Sequence, residues 1–279
     1  MKRASYWQRQ NDGVQCVLCP HMCVLQEGEY GLCGARQAKD DVLVSRSYGE
    51  IAAAHIDPVE KKPLRRFMPR THTYSIGSVG CNLCCWFCQN ARLSRGHAQG
   101  GEETPASVVE KAVRAGTPSI SYTYNEPVTN FEFVLETASL AQKEGLHNIL
   151  VTNGYANPEP FAQLCRVIHA MNMDLKTART DAFLQQCGGE LEVVRRNIKS
   201  AAQSCHLEVT ALMANGLCGA EDVKEIAQFL AGIDARIPLH ITRYYPMCAQ
   251  DPAATPVQTV IQAAEAAKEH LLYVYTGNI

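Results

Sequence analysis

From residue 72 onward, short apolar or alternating runs take turns with helical patterns, and that alternation constrains the fold more than any other feature. Strands are expected over 72–79, 119–124, 148–153, 171–176, 206–213, 238–245 and 271–276. The helices between them have readable ends. Thr104-Pro105 reads as a cap followed by proline at the first helical position, and Gly116 stands just past that helix. Phe131, Leu135 and Ala138 share a face before Gly145, and Val257, Val260, Ile261 and Ala264 repeat the pattern late in the chain. Strands separated by helices imply parallel pairing with right-handed crossovers. The expected class is therefore α/β: a partial (β/α)6 TIM-type barrel over 72–279, with a doubly wound open sheet as the rival. Residues 1–71 read as an N-terminal extension holding cysteines and a hairpin over 41–56.

In either architecture ligands gather at the carboxyl ends of the strands. Directly after the first strand comes Gly80-Cys81-Asn82-Leu83-Cys84-Cys85-Trp86-Phe87-Cys88, with the spacing C-x3-C-x2-C. Three thiolates without a fourth suit an iron–sulfur cluster that keeps one iron open, whereas a closed zinc site wants four protein ligands. Cys81, Cys85 and Cys88 are the expected ligands. Cys84 is not, because a turn that aims the other three inward points it elsewhere.

A second group, Cys16, Cys19, Cys23 and Cys33, offers four ligands to a second metal or cluster site. Its spacing fits a tetrahedral zinc or an auxiliary iron–sulfur cluster, and does not decide between them. The chain has thirteen cysteines, and Met1 to Trp7 lack the apolar core of a signal peptide. A reducing, cytoplasmic setting is expected, where clustered cysteine means metal or redox chemistry. A net charge of -2 gives no reason to expect nucleic acid as a partner, and no run is apolar enough to expect a membrane span. Cys165, Cys187, Cys205, Cys218 and Cys248 are scattered and read as core.

The triplet, with Phe87 before its third cysteine, resembles the signature of the radical S-adenosylmethionine (SAM) superfamily. The resemblance continues through Ser121-Tyr122-Thr123-Tyr124-Asn125-Glu126-Pro127, Val151-Thr152-Asn153-Gly154-Tyr155, Asp174-Leu175-Lys176 and His240-Ile241-Thr242-Arg243-Tyr244-Tyr245-Pro246. Together these are most similar to the activating-enzyme-like branch, and within it to the radical SAM component of the AmmeMemoRadiSam group. The resemblance implies a [4Fe–4S] cluster on the three thiolates and SAM on its open iron. Reductive cleavage of SAM would then yield a 5′-deoxyadenosyl radical that abstracts hydrogen from a substrate.

The resemblance also implies cofactor contacts from Asn125 and Glu126 after the second strand and Asn153 after the third. Asp174 and Lys176 are expected from the fourth strand, and His240 and Arg243 from the sixth. Val151 stands where related activating enzymes carry an aspartate that helps bind a monovalent cation, which puts that site in doubt. Lys61, Lys62, Arg65 and Arg66 form a basic run, either a solvated surface or a dock for an electron donor such as flavodoxin or ferredoxin. The leading reading is an enzyme acting on a substrate not identified. The alternatives are a glycyl-radical activase with a protein substrate, and a non-catalytic iron–sulfur electron-transfer protein or zinc scaffold.

Overall fold

A computed structural model describes residues 1–96, 99–247 and 251–279. Cys248 lies outside the described residues. Eight strands form one sheet: β1 (Ala53–Pro58), β2 (His72–Gly77), β3 (Ser119–Tyr122), β4 (His147–Thr152), β5 (Ala170–Asp174), β6 (His206–Met213), β7 (Leu239–Arg243) and β8 (Val274–Gly277). They lie in chain order across the sheet, β2 to β8 all parallel and β1 antiparallel to β2 at one edge. β1 and β8 do not pair, so the barrel is partial, of TIM type, and open along one seam.

Helices cover the outer face. α1 (Pro105–Arg114) starts at the expected cap: the Thr104 hydroxyl accepts from the Ser107 N–H while Ser107 Oγ accepts from the Thr104 N–H. α2 (Phe131–Lys143) ends before Gly145, whose φ of +74° is the left-handed stop. Leu150, Met171 and Met173 face this helical layer.

The alternate residues face inward, and they meet a segment of the N-terminal region. Val59 and Leu64, both fully buried, pack on Ile149 and Ala170, with Phe67 and Val151 beside them. Asn172 Nδ2 donates to the Pro63 carbonyl at 2.8 Å. Glu208, 0 % exposed, accepts from the Arg65 and Arg66 N–H groups at 3.0 and 2.7 Å. Residues 59–67 therefore fill the lower lumen of the barrel. Lys62 is buried within this segment, so the basic run is not one surface patch; Arg65 and Arg66 are exposed and Lys62 is not.

The hairpin expected over 41–56 is built differently. Asp40 and Asp41 both take positive φ, 51° and 59°, and form a tight turn joining Arg36–Lys39 to Val42–Ser45. Residues 53–58 pair instead with β2. The N-terminal sheets are tied to α2 by a buried ion pair, Arg36 to Glu132, at 2.7 Å. Among the described residues no helix is long and apolar enough to cross a membrane.

Candidate active site

A cavity of about 360 Å3 opens at the carboxyl ends of β3 to β7, above the filled lumen. Cys81, Cys85 and Cys88 line one side of it; Cys84, expected to point elsewhere, is among the lining residues too, with its Sγ 3.5 Å from the Cys187 carbonyl oxygen. Their loop leaves β2 through two glycines that have no room for a side chain. A Cβ on Gly77 would stand 2.8 Å from the Thr123 carbonyl oxygen, and one on Gly80 would stand 2.6 Å from that of Cys33. Close backbone contact is thus what sets the loop against β3 and the N-terminal region.

Asn125 holds the loop from the other side. Its Oδ1 accepts from the Ser78 N–H at 3.0 Å, and its Nδ2 donates to the Gly80 carbonyl at 3.0 Å. Asn153 Nδ2 lies 3.7 Å from Cys81 Sγ and donates to Asn82 Oδ1 at 3.0 Å. Gly154, at φ +68°, makes the Asn-Gly turn that aims Asn153 this way.

Glu126 is 3 % exposed. Its Oε1 accepts from the Val128 N–H and the Thr152 hydroxyl, and its Oε2 from the Asn153 N–H. Burial pushes its carboxyl up to about 7, although those three hydrogen bonds favour the anion. Across the cavity Asp174 and Lys176 pair at 2.8 Å. Burial disfavours the Lys176 ammonium, but the Asp174 carboxylate beside it outweighs burial and raises its pKa.

Five of the seven expected contact residues, Asn125, Glu126, Asn153, Asp174 and Lys176, line this one cavity, and Val151 lines it too. His240 and Arg243 are not among its lining residues. His240 is bonded to Glu208 Oε2 at 2.6 Å and stacked on Tyr275 below the cavity. Arg243 Nε donates to the Thr255 carbonyl at 2.6 Å, and the guanidinium lies over the Tyr245 ring. Both side chains are committed to neighbours.

Two groups escaped the sequence reading. Lys62 lines the cavity with its Nζ 2.7 Å from Asp57 and over the Tyr124 ring. Burial opposes ionisation of Asp57, but hydrogen bonds from Lys62 and Tyr124 outweigh it and hold the carboxyl well below its usual range. The sequence placed Lys62 only in the basic run, read as a solvated surface or a dock for an electron donor. Cys187, fully buried, is the second. Its carbonyl accepts from the Cys84 N–H at 2.9 Å, and its thiol stands beside the Cys85 sulfur. That contact first, and the Lys176 charge after it, outweigh burial and lower the pKa of the Cys85 thiol. Nothing in the spacing marks Cys187.

The N-terminal quartet adjoins the triplet. Cys16, Cys19, Cys23 and Cys33 line a second, smaller cavity together with Asn82, and the Cys33 carbonyl accepts from the Cys81 N–H at 3.2 Å. Among the described residues, no three His, Cys, Asp or Glu side chains are grouped to hold a single metal ion.

A family model described as the radical SAM superfamily matches residues 75–230. An uncharacterized protein of Methanocaldococcus jannaschii is 36% identical over 288 residues, spanning 100% of this chain and 86% of that protein. Among solved structures, SuiB of Streptococcus suis bound to S-adenosylmethionine superposes with a TM-score of 0.58 at 14% identity, over 70% of this chain and 48% of that one. A radical SAM methyltransferase from Sphaerobacter thermophilus gives 0.56 at 15%, over 75% and 67%. A domain of pyruvate-formate lyase-activating enzyme from Bacteroides vulgatus gives 0.51 at 19%, over 57% and 99%. At these identities the likeness to the solved structures is one of fold.

Proposed function

The chain belongs to the radical SAM superfamily, and from that premise we propose that Cys81, Cys85 and Cys88 hold a [4Fe–4S] cluster with SAM on its open iron. The residues present fit such a group: three thiols line one face of a cavity, with Asn153 Nδ2 beside Cys81 and conditions that favour the Cys85 thiolate. When bound and reduced, the cluster supplies the electron that cleaves SAM to methionine and a 5′-deoxyadenosyl radical.

The chain's own part is to bind and orient. Glu126 receives the SAM amino group on Oε2, which accepts only from the Asn153 N–H and keeps a lone pair, whereas Oε1 already accepts two hydrogen bonds. Asn153 turns its amide along Cys81 and steadies the same end of SAM. The Lys176 ammonium and Asp174 carboxylate face the SAM carboxylate and ribose from the opposite wall. Asn125 keeps the cysteine loop in place and touches SAM only through that loop. His240 and Arg243 stand outside this contact set.

The observation that carries the reading is the convergence of five strand-end polar residues on a single cavity with Cys81, Cys85 and Cys88, beside which Cys84 also stands. We read the chain as an activating-enzyme-like member, of the AmmeMemoRadiSam group, on the motifs at 121–127, 151–155 and 174–176. Its one-electron donor is a flavodoxin or a ferredoxin, and residues 1–71 act as an extension to the core at 72–279. The activase alternative keeps the same site with a protein substrate.

Anaerobically reconstituted protein given dithionite and SAM is expected to release 5′-deoxyadenosine, and Cys85→Ala to abolish the release. No release from the reconstituted protein would sink the proposal. Incubation with small-molecule and protein fractions of an extract, with SAM labelled at the 5′ position, separates the two substrate classes.

A further inference from the structure

The N-terminal thiols close on one small space. Cys16, Cys19, Cys23 and Cys33 line a cavity of about 20 Å3 with Gly31 and Arg36. A Cβ on Gly31 would lie 3.8 Å from both the Cys23 and the Cys33 sulfur, so these two thiols flank the same bare glycine.

The charge in this cavity sets it apart from a closed zinc knuckle. Arg36 is 1 % exposed, which is rare for an arginine. Its Nη1 donates to the Ser5 carbonyl and its Nη2 to both oxygens of Glu132. Its Nε is buried without a hydrogen-bond partner. A buried N–H left unpaired is a cost to the fold, removed when an anionic acceptor shares the space.

Size points the same way. Four thiolates on one zinc stand about 3.8 Å apart, from tetrahedral geometry with 2.3 Å bonds. Among the described residues no such group of three or more is present. A four-iron cluster spaces its thiolates more widely, at the corners of a larger body, and carries net negative charge on sulfide and thiolate. Location favours a redox-active group as well: the Cys33 carbonyl accepts from the Cys81 N–H, and Asn82, which lines the smaller cavity, accepts from Asn153, which lines the larger one.

We propose that Cys16, Cys19, Cys23 and Cys33 hold a second iron–sulfur cluster, and that Arg36 offsets its charge through the unpaired Nε. Binding replaces four S–H bonds with four S–Fe bonds and releases four protons, with the oxidation state of the cysteine sulfur unchanged, and Arg36 acts as a positioning residue.

Metal and sulfide analysis of the reconstituted full chain should find about eight iron and eight sulfide per chain. A variant carrying Cys81→Ala, Cys85→Ala and Cys88→Ala should keep about four of each and no zinc. About one zinc with no iron in that variant overturns the proposal, as does a native count of only about four iron, which does not depend on how the variant folds. Deoxyadenosine release tests the other cluster separately, so either reading can fail alone.

For Arg36, the double variant Arg36→Gln with Glu132→Gln leaves no buried charge unpaired. Added to the triple variant, it should keep the iron and shift the remaining cluster's midpoint potential to more negative values. An unchanged potential removes Arg36 from the site.

Discussion

Glu208 latches residues 59–67 into the barrel, and the strength of that latch can be read from its ionisation. The carboxylate is fully buried, yet hydrogen bonds from His206, His240 and the Arg65 and Arg66 N–H groups outweigh burial and hold its pKa at about 2, against an ordinary 4.5. That difference corresponds to about 3 kcal/mol of stability, at 1.36 kcal/mol per pKa unit. Because the folded pKa is depressed, the contribution is fully present above pH 4.5 and is lost as pH falls from 4.5 towards 2. Glu208→Gln keeps the shape and removes the charge. At pH 7 it should lower the unfolding free energy by about 3 kcal/mol, roughly a 1 M fall in urea midpoint for a slope near 3 kcal/mol/M. By pH 3.5 the gap between native protein and variant should have narrowed by about 1.4 kcal/mol. Urea titrations followed by circular dichroism at several pH values measure both quantities. A variant within about 1 kcal/mol of native at pH 7, or a gap independent of pH, would refute the reasoning.

Three further outcomes are expected. Lys62→Met leaves the Asp57 carboxylate with only the exposed Lys61 ammonium at 3.6 Å and should cost about 2–4 kcal/mol, whereas adding Asp57→Asn should recover most of it; thermal unfolding of the single and double variants decides. SAM affinity should depend on Glu126, whose carboxyl titrates near 7. Since only the anion attracts an ammonium, the Kd should fall about tenfold per unit as pH rises towards 7 and then level off, and a flat profile by anaerobic equilibrium dialysis would exclude the contact. Cys187→Ala removes a buried thiol beside the Cys85 sulfur and should keep the triplet's iron while moving its midpoint potential to more negative values, followed by potentiometric titration.

Strand positions and the triplet were legible because they obey local rules: alternation, caps at Thr104-Pro105, stops at Gly116 and Gly145, and cysteine spacing. Lys62 was not, because adjacent cations normally mark a wetted surface, and only the approach of Asp57 and the Tyr124 ring makes burial tolerable. Strand β1 was missed for a related reason. Its partner β2 is joined to it by the lumen segment rather than a tight turn, while Asp40-Asp41 supplied a turn to a different pair. Cys187 lies far along the chain from Cys85, and a lone cysteine carries no spacing to read.

His240 shows how the same inner face can serve two purposes. It sits in register with Thr210 and Tyr275, while Thr242, two residues on, pairs with Leu212 and lines the cavity. One step of two residues is about 6–7 Å along a strand. Below that step the inward polar groups, Asn172, Glu208 and His240, are satisfied by residues 59–67 or by one another. Asp174 and Thr210 share the register row of His240 yet border open space, as does Thr242 one step above. A barrel with an unpaired seam would otherwise admit water along its whole axis. Filling the lower lumen with Val59 and Leu64 confines the open volume to the strand ends where the cysteine loop arrives. Whether residues 59–67 and the Glu208 they hold reach an inward side chain thus separates anchoring from binding, and residue type alone does not.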